Sequence, residues 1–221
     1  LRGRFITFEG GEGTGKSTQV KALAARLTSF GLSVVTTREP GGSPGAEAIR
    51  HVLLSGAAKP LGAYAEAILF AAARDDHLRQ TIRPALEEGR WVACDRFADS
   101  TRVYQGVLGN VDQRLIARLE QITVGDTTPD LTIVLDMPAE LGLERAARRR
   151  GAAAADRFET ETPEFHERLR RAYLELAARE PERCVVIDGS GAPATVADAT
   201  WAVVCERLNP VQAPLLIEDV S

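Results

Sequence analysis

Eight consecutive residues, Gly10-Gly11-Glu12-Gly13-Thr14-Gly15-Lys16-Ser17, match the spacing G-x-x-x-x-G-K-[ST] in full. Glycines at these places let backbone N–H groups turn inward around phosphate oxygens. Lys16 then reaches the outer phosphates of a nucleoside triphosphate, and Ser17, followed by Thr18, offers a hydroxyl to Mg2+. Two further runs have types suited to anionic ligands: Arg38-Glu39-Pro40-Gly41-Gly42 and Asp95-Arg96-Phe97. Moving a phosphoryl group between two anions needs positive charge on both sides of it, and these segments supply it.

Such residues work only if the chain delivers them to one place. Phe5-Ile6-Thr7-Phe8 is an apolar, β-branched run stopped at Gly10, which reads as a buried strand. From Ser17 to Phe30 the apolar positions fall three and four apart and Gly31 stands where a helix ends, so the glycine-rich loop joins strand to helix. Leu32–Thr37, Trp91–Cys94, Leu131–Leu135 and Cys184–Ile187 read as further strands. Ala46–Leu54, Tyr64–Glu88 (bent at Pro84), Leu115–Ile122, Ala139–Arg150, Pro163–Arg179 and Ala194–Leu208 read as helices. Five short strands separated by helices predict a three-layer α/β fold with a five-stranded parallel sheet covered on both faces. The Arg38 and Asp95 segments then both leave strands at the carboxyl edge, where open α/β sheets bind ligands. We expect one domain over residues 1–208, with 209–221 an irregular tail.

The combination of Phe8-Glu9-Gly10, the phosphate loop, Arg38-Glu39-Pro40-Gly41-Gly42, Asp95-Arg96-Phe97-x-x-Ser100-x-x-x-Tyr104-Gln105-Gly106 and Asp156-Arg157-Phe158-Glu159 resembles the bacterial thymidylate kinases. These segments follow the family's order from about residue 5 to residue 160, and Tyr173-Leu174-Glu175-Leu176-Ala177 continues the likeness. The resemblance implies a P-loop kinase fold, transfer of the γ-phosphoryl of ATP to dTMP to give dTDP, Mg2+ as cofactor and a homodimer formed through the long Tyr64–Glu88 helix.

It also implies roles. ATP falls to Gly10, Gly11, Glu12, Gly13, Thr14, Gly15, Lys16, Ser17 and Thr18, and the metal to Ser17 and Asp95. The acceptor falls to Glu12 (the sugar 3′-hydroxyl), Arg38, Pro40, Arg50 and Arg96 (its phosphate), and Tyr104, Thr101 and Gln105 (sugar and base). Phe70 and Arg74 lie four apart on one helix face, so that Phe70 would stack on thymine and Arg74 donate to its O4 edge. Residue type alone leaves Phe70 open as core and Arg74 as a solvated charge. It equally leaves Arg96 open as a salt-bridge partner of Asp95 or Glu12, and Asp95 as a residue that merely orients Arg96. Some members carry an arginine inside the loop and others a glycine with arginines in the lid. Gly13 puts this chain with the second type, so a lid over about 145–162 should carry catalytic arginines, assigned to Arg148 and Arg149, with Arg145 a further candidate and Arg150 against adenine. Asp188-Gly189-Ser190-Gly191 would pass near adenine.

Composition narrows the alternatives. Of the 27 basic residues 24 are arginine, and the three lysines are Lys16, Lys21 and Lys59, so a lysine in the loop is not background. A net charge of −4 argues against a general nucleic-acid binder. Three cysteines without C-x-x-C spacing favour a reducing, cytoplasmic setting. No apolar run approaches the roughly 20 residues of a membrane span. The chain starts at Leu1 rather than methionine, which implies trimming or omission of an initiator. The histidines, His51, His77 and His166, read as surface or partly buried. The competing readings are a P-loop kinase for another deoxynucleotide or a deoxynucleoside, and a nucleotide-binding module without catalysis.

Overall fold

The computed structural model describes residues 2–151 and 158–210. Asp156, Arg157 and 152–155 of the expected lid, and 211–221 of the expected tail, lie outside them.

Five parallel strands, β1 (Phe5–Glu9), β2 (Val34–Arg38), β3 (Trp91–Asp95), β4 (Leu131–Asp136) and β5 (Cys184–Asp188), form one sheet in the order β2-β3-β1-β4-β5. The central strand β1 is buried along its whole length, as a parallel strand covered on both faces must be. Alternation divides its side chains. Ile6 and Phe8 pack with Val20, Leu23 and Leu27 of helix α1 (Lys16–Ser29) and with Val196 and Val204 of a C-terminal helix over Pro193–Leu208. Phe5 faces the other way, toward Leu78, Ile82 and Leu86. Register then brings the strand ends level: Phe8 pairs with Asp95 and Asp95 with Arg38. The glycine-rich loop, the Arg38 segment and the Asp95 segment therefore leave the sheet together.

The second layer departs from the expected helix in an instructive way. Helix α2 spans Pro44–Leu54, but the long Tyr64–Glu88 helix is divided into α3 (Gly62–His77), a widened π-type turn over Leu78–Ile82, and α4 (Arg83–Glu87). Pro84 donates no N–H and its ring crowds the carbonyl four residues back, so the break falls in the turn before it. A helical stretch was also unforeseen after β3: α5 (Ala98–Thr101) runs into a π-type turn over Arg102–Leu108. Its buried residues include Asp99, Thr101 and Gln105, polar groups that obscure any apolar period. Helices α6 (Gln113–Thr123), α7 (Ala139–Arg150), α8 (Pro163–Arg179) and α9 (Pro193–Leu208) complete the chain. No helix among the described residues is long and apolar enough to cross a membrane.

On the α8 face the sheet carries polar groups that satisfy one another. The Thr7 and Thr132 hydroxyls are 2.8 Å apart. Arg183 donates to both carboxylate oxygens of buried Asp99, at 2.7 and 3.0 Å, and to the Thr132 hydroxyl at 2.6 Å. Removing one partner of such a pair leaves a buried charge uncompensated, which costs about 3–5 kcal/mol. Arg102 lies 3.4 Å from Asp99 and softens the loss. Arg183→Met should therefore cost about 3 kcal/mol and lower the thermal midpoint by roughly 6–12 °C. A scanning-calorimetry shift below about 2 °C would show that the pair is not holding the sheet to α5.

Candidate active site

The loop after β1 makes a tight cradle. Gly13 has φ 69°, and a Cβ there would fall 1.8 Å from the Gly142 carbonyl oxygen of α7. This explains in steric terms why no arginine occupies that place: the backbone of α7 already does. Helix α1 starts at Lys16 behind Gly15, with no side chain capping its first turn, so its N–H groups and dipole face an incoming anion. Lys16 is buried and lies across the loop, its Nζ donating to the carbonyls of Gly11 (2.6 Å) and Gly10 (3.1 Å). The Thr14 hydroxyl donates to Gly11 (3.1 Å). Ser17 donates its hydroxyl to the Asp95 carboxylate at the mouth of the loop, beside exposed Thr18.

Arg96 sits at the centre. Its backbone is left-handed, φ 69°, an uncommon and costly state for a long side chain. Nη2 donates to Glu12 at 2.6 Å, and Nη1 to the Gly10 carbonyl and the Tyr173 hydroxyl, both at 3.1 Å. Its guanidinium lies 5.2 Å above the Tyr104 ring, and the Tyr104 hydroxyl donates to Glu12 at 3.1 Å. Burial alone would raise the Glu12 pKa, but the charges of Arg96 and Lys16 outweigh it and hold the carboxyl down at about 2. Burial and the Arg96 charge in turn press Lys16 down to about 8, with Glu12, Asp95 and Glu9 opposing. Burial, with Asp99 behind it, pushes Glu9 up to about 7 against the pull of Arg96 and the donors around it.

A cavity of about 340 Å3 opens from this cluster, lined by Arg38, Pro40, Arg50, Phe70, Arg74, Thr101, Tyr104 and Gln105 together with Glu12, Lys16, Ser17, Asp95 and Arg96. Ten residues assigned to the acceptor thus share one cavity. Phe70 is half-buried and faces it rather than the core. Arg74, which residue type alone left open as a solvated charge, is 4% exposed; Nε donates to Glu39 (2.8 Å) and Nη2 to Thr101 (2.9 Å). Arg50 donates to the Pro40 carbonyl (2.6 Å) and Arg38 pairs with Glu47 (2.9 Å). Sequence reasoning missed the groups behind these side chains. Glu39 stood inside a quoted motif, yet its role is to accept from Arg74 and to face His77 Nδ1 at 3.1 Å. His77 is fully buried, against expectation, and its Nε2 lies 2.7 Å from the Thr37 hydroxyl. His166 is also buried, whereas His51 is exposed.

The α7 arginines divide. Arg149 lines the cavity. Arg148 is exposed and pairs with Glu144, while Arg150 pairs with Glu159. Neither lines that cavity. Arg145 donates to the carbonyls of Gly189 (2.9 Å) and Ser190 (2.5 Å), tying α7 to the loop after β5.

A phosphate cradle on a five-stranded parallel sheet, beside a second cation-lined cavity, defines a P-loop kinase that joins a nucleoside triphosphate to another small anion. The thymidylate kinase family profile matches residues 8–199. The chain is 61% identical over 208 residues to a thymidylate kinase of Nitrobacter hamburgensis, covering 94% of this chain and 90% of that one. To one of Bradyrhizobium diazoefficiens it is 59% identical over 215 residues, covering 97% and 94%. The crystal structure of thymidylate kinase from Ehrlichia chaffeensis superposes with a TM-score of 0.74 at 31% identity, over 92% of this chain and all of that one. The chain belongs to the thymidylate kinase family.

The electrostatics give a pH test. A triphosphate favours the charged form of Lys16, which is held at about 8 without it, so binding near pH 8.5 should draw a proton from solution. Affinity should fall as pH rises through that range, because the neutral amine must first be charged. Calorimetry in two buffers of different ionisation enthalpy reads the uptake directly, and a zero value at pH 8.5 would contradict the assignment.

Proposed function

We infer that the protein transfers the γ-phosphoryl group of ATP to dTMP, giving dTDP and ADP. The observation that carries this reading is the shared cavity: an aromatic face and a fixed arginine, Phe70 and Arg74, at one end, and Arg96, Lys16 and the glycine loop at the other. A pyrimidine stacks on Phe70 and offers O4 to Arg74. Its phosphate reaches Arg96, with Arg38 and Arg50 at the rim and Pro40 shaping the wall. Glu12, an ionised acceptor, takes the sugar 3′-hydroxyl, and Tyr104 covers the C2′ side, where a ribose hydroxyl would crowd it. Thr101 and Gln105 supply polar contacts to the base.

For the donor, Gly10 to Thr18 hold the phosphates of ATP and Lys16 bridges the outer two. Ser17 and Asp95 fit Mg2+: a hydroxyl and a carboxylate stand in contact at the loop mouth, and hard oxygen donors completed by phosphate and water are what this ion takes. When bound, it would neutralise charge on the phosphates. Lys16 and Arg96 stabilise the charge that spreads over the moving group, and Arg149 and Arg148, from the expected lid of about 145–162, add to it. Arg150 is assigned to adenine, beside the Gly189–Ser190 carbonyls that Arg145 holds. Residues 1–208 act as one kinase unit, in the cytoplasm. A homodimer formed through α3 accords with the exposed apolar side chains Tyr64 and Ile68 on that helix.

Turnover across dTMP, dUMP, dCMP, dGMP and thymidine tests the acceptor: dTMP should lead, and equal or faster turnover of another acceptor would overturn the reading. ATP binding with no dTDP formed under any metal condition would instead favour a non-catalytic module. Lys16→Ala and Arg96→Ala should each lower kcat by about 10²- to 10³-fold with an unchanged fold. Phe70→Ala should raise the KM for dTMP by about 10-fold with a smaller effect on kcat, and an unchanged KM would remove the stacking role.

A further inference from the structure

Arg96 needs more than one partner to keep a left-handed backbone and a fixed guanidinium. Both amides flanking the turn are gripped by the end of β1: the Arg96 N–H donates to the Phe8 carbonyl at 2.9 Å, and the Phe97 N–H to Oε1 of Glu9 at 2.7 Å. The other oxygen of the same carboxylate, Oε2, accepts from the Ser100 hydroxyl (2.7 Å) and from the Tyr173 hydroxyl (3.0 Å). Those two hydroxyls are the ones that Arg96 Nη1 approaches, at 3.3 and 3.1 Å. A hydroxyl has one proton to give. Spent on Glu9, it leaves only oxygen lone pairs facing the guanidinium, so the carboxylate sets the polarity of both contacts. Glu9 itself is fully buried and lies outside the cavity, too far back in the sheet edge to serve as a ligand-binding group.

We propose that Glu9 is the positioning residue of Arg96, holding the backbone turn with one oxygen and orienting the Ser100 and Tyr173 hydroxyls with the other. The proposal rests on the reading of Arg96 as the residue that stabilises the transferred phosphoryl group. Glu9→Gln is the informative change because it preserves shape and reverses polarity. The amide oxygen must stay on the Phe97 N–H, which turns the amide NH2 toward the two hydroxyls. They must then accept from it, and because the two oxygens lie 2.9 Å apart one can donate to the other, which leaves the remaining proton turned toward Arg96.

The test is a cycle of four proteins, wild type, Glu9→Gln, Arg96→Ala and the double variant, read by single-turnover and steady-state kinetics with dTMP and ATP. Glu9→Gln should lower kcat by about 10- to 100-fold, the usual range for losing an outer partner of a working group, with the KM for ATP within about 2-fold of wild type. In the Arg96→Ala background the same change should add less than about 2-fold, because its only route to the reaction has gone. A purely structural role would lower both backgrounds by the same factor, and that outcome, or wild-type turnover in Glu9→Gln, overturns the proposal. Should Glu9→Gln fail to fold, Tyr173→Phe removes one hydroxyl and keeps the buried ring. It should cost about 3- to 10-fold in kcat in wild type and nothing in Arg96→Ala, and equal effects in the two would refute the positioning role. The underlying reading fails separately: wild-type turnover in Arg96→Ala removes the role of Arg96 and this proposal with it, and absence of dTMP turnover in wild type removes the activity.

Discussion

Lys16, buried at the start of α1, and Arg96, largely buried just past β3, both donate to the Gly10 carbonyl, and their mutual repulsion in a poorly solvated space constrains everything around them. The effect is visible on Lys16, which burial and the Arg96 charge hold at about 8. Carboxylates answer it. Glu12 pairs with Arg96 at 2.6 Å, Asp95 stands by the start of α1, and Glu9 lies underneath. A cation left without such partners would be expelled or discharged. The price of keeping both charges ready for phosphate is thus a set of acids built into β1, the loop and β3. Because Arg96 is held in place before any ligand arrives, little reorganisation of its guanidinium is left for the reacting state to demand.

The same solution recurs around Arg74 in the cavity wall. Arg74 is buried, and Glu39 both neutralises it and faces His77, which Thr37 of β2 holds from behind. Nε and Nη2 of Arg74 are committed to Glu39 and Thr101, so the plane of the guanidinium is set against the cavity wall. A donor fixed in this way would discriminate between a carbonyl oxygen and an amine better than a mobile one, since the wrong group would meet an unsatisfied buried donor instead of a side chain that turns away. The orientation of Arg74 therefore depends in part on Thr37 of β2 and His77 of α3, which do not line the cavity themselves.

These supporting layers are where sequence reading stops. The strand–loop–helix signal around Lys16 is local: an apolar run, glycines at fixed spacing and a helical period, all inside some 25 residues, so both its geometry and its chemistry are legible. The five strands were legible for the same reason, each being a short apolar run. Glu9, Glu39, His77 and Tyr173 carry no such mark. Their meaning lies in partners 35 to 164 residues away, which only the parallel register brings together. The π-type turn over Arg102–Leu108 was hidden for a related reason, its buried residues being the consecutive Val103, Tyr104, Gln105 and Gly106 rather than a regular apolar stripe. Phe70 and Arg74 fall between these cases. Their spacing put them on one helix face, but only the structure shows that Phe70 lines a cavity and that Arg74 is buried.

The surplus of arginine over lysine, 24 against 3, takes on structure at particular sites. Arg96 meets a carboxylate, a carbonyl and two hydroxyls at once, and Arg183 both oxygens of Asp99. A planar fork with five donors and a charge that burial cannot remove suits such positions, and a single ammonium could not fill them. Position 16 demands the opposite. A group that lies across carbonyls of its own loop and must then follow a phosphate needs a compact, rotatable charge on a flexible stem. Burial and the Arg96 charge bring Lys16 down to about 8, so its charge is largely present at neutral pH and is lost just above it, which no arginine would do. The rare lysine and the common arginine are thus divided by what each position asks of a cation: fixed geometry at 96 and 183, adjustable charge at 16.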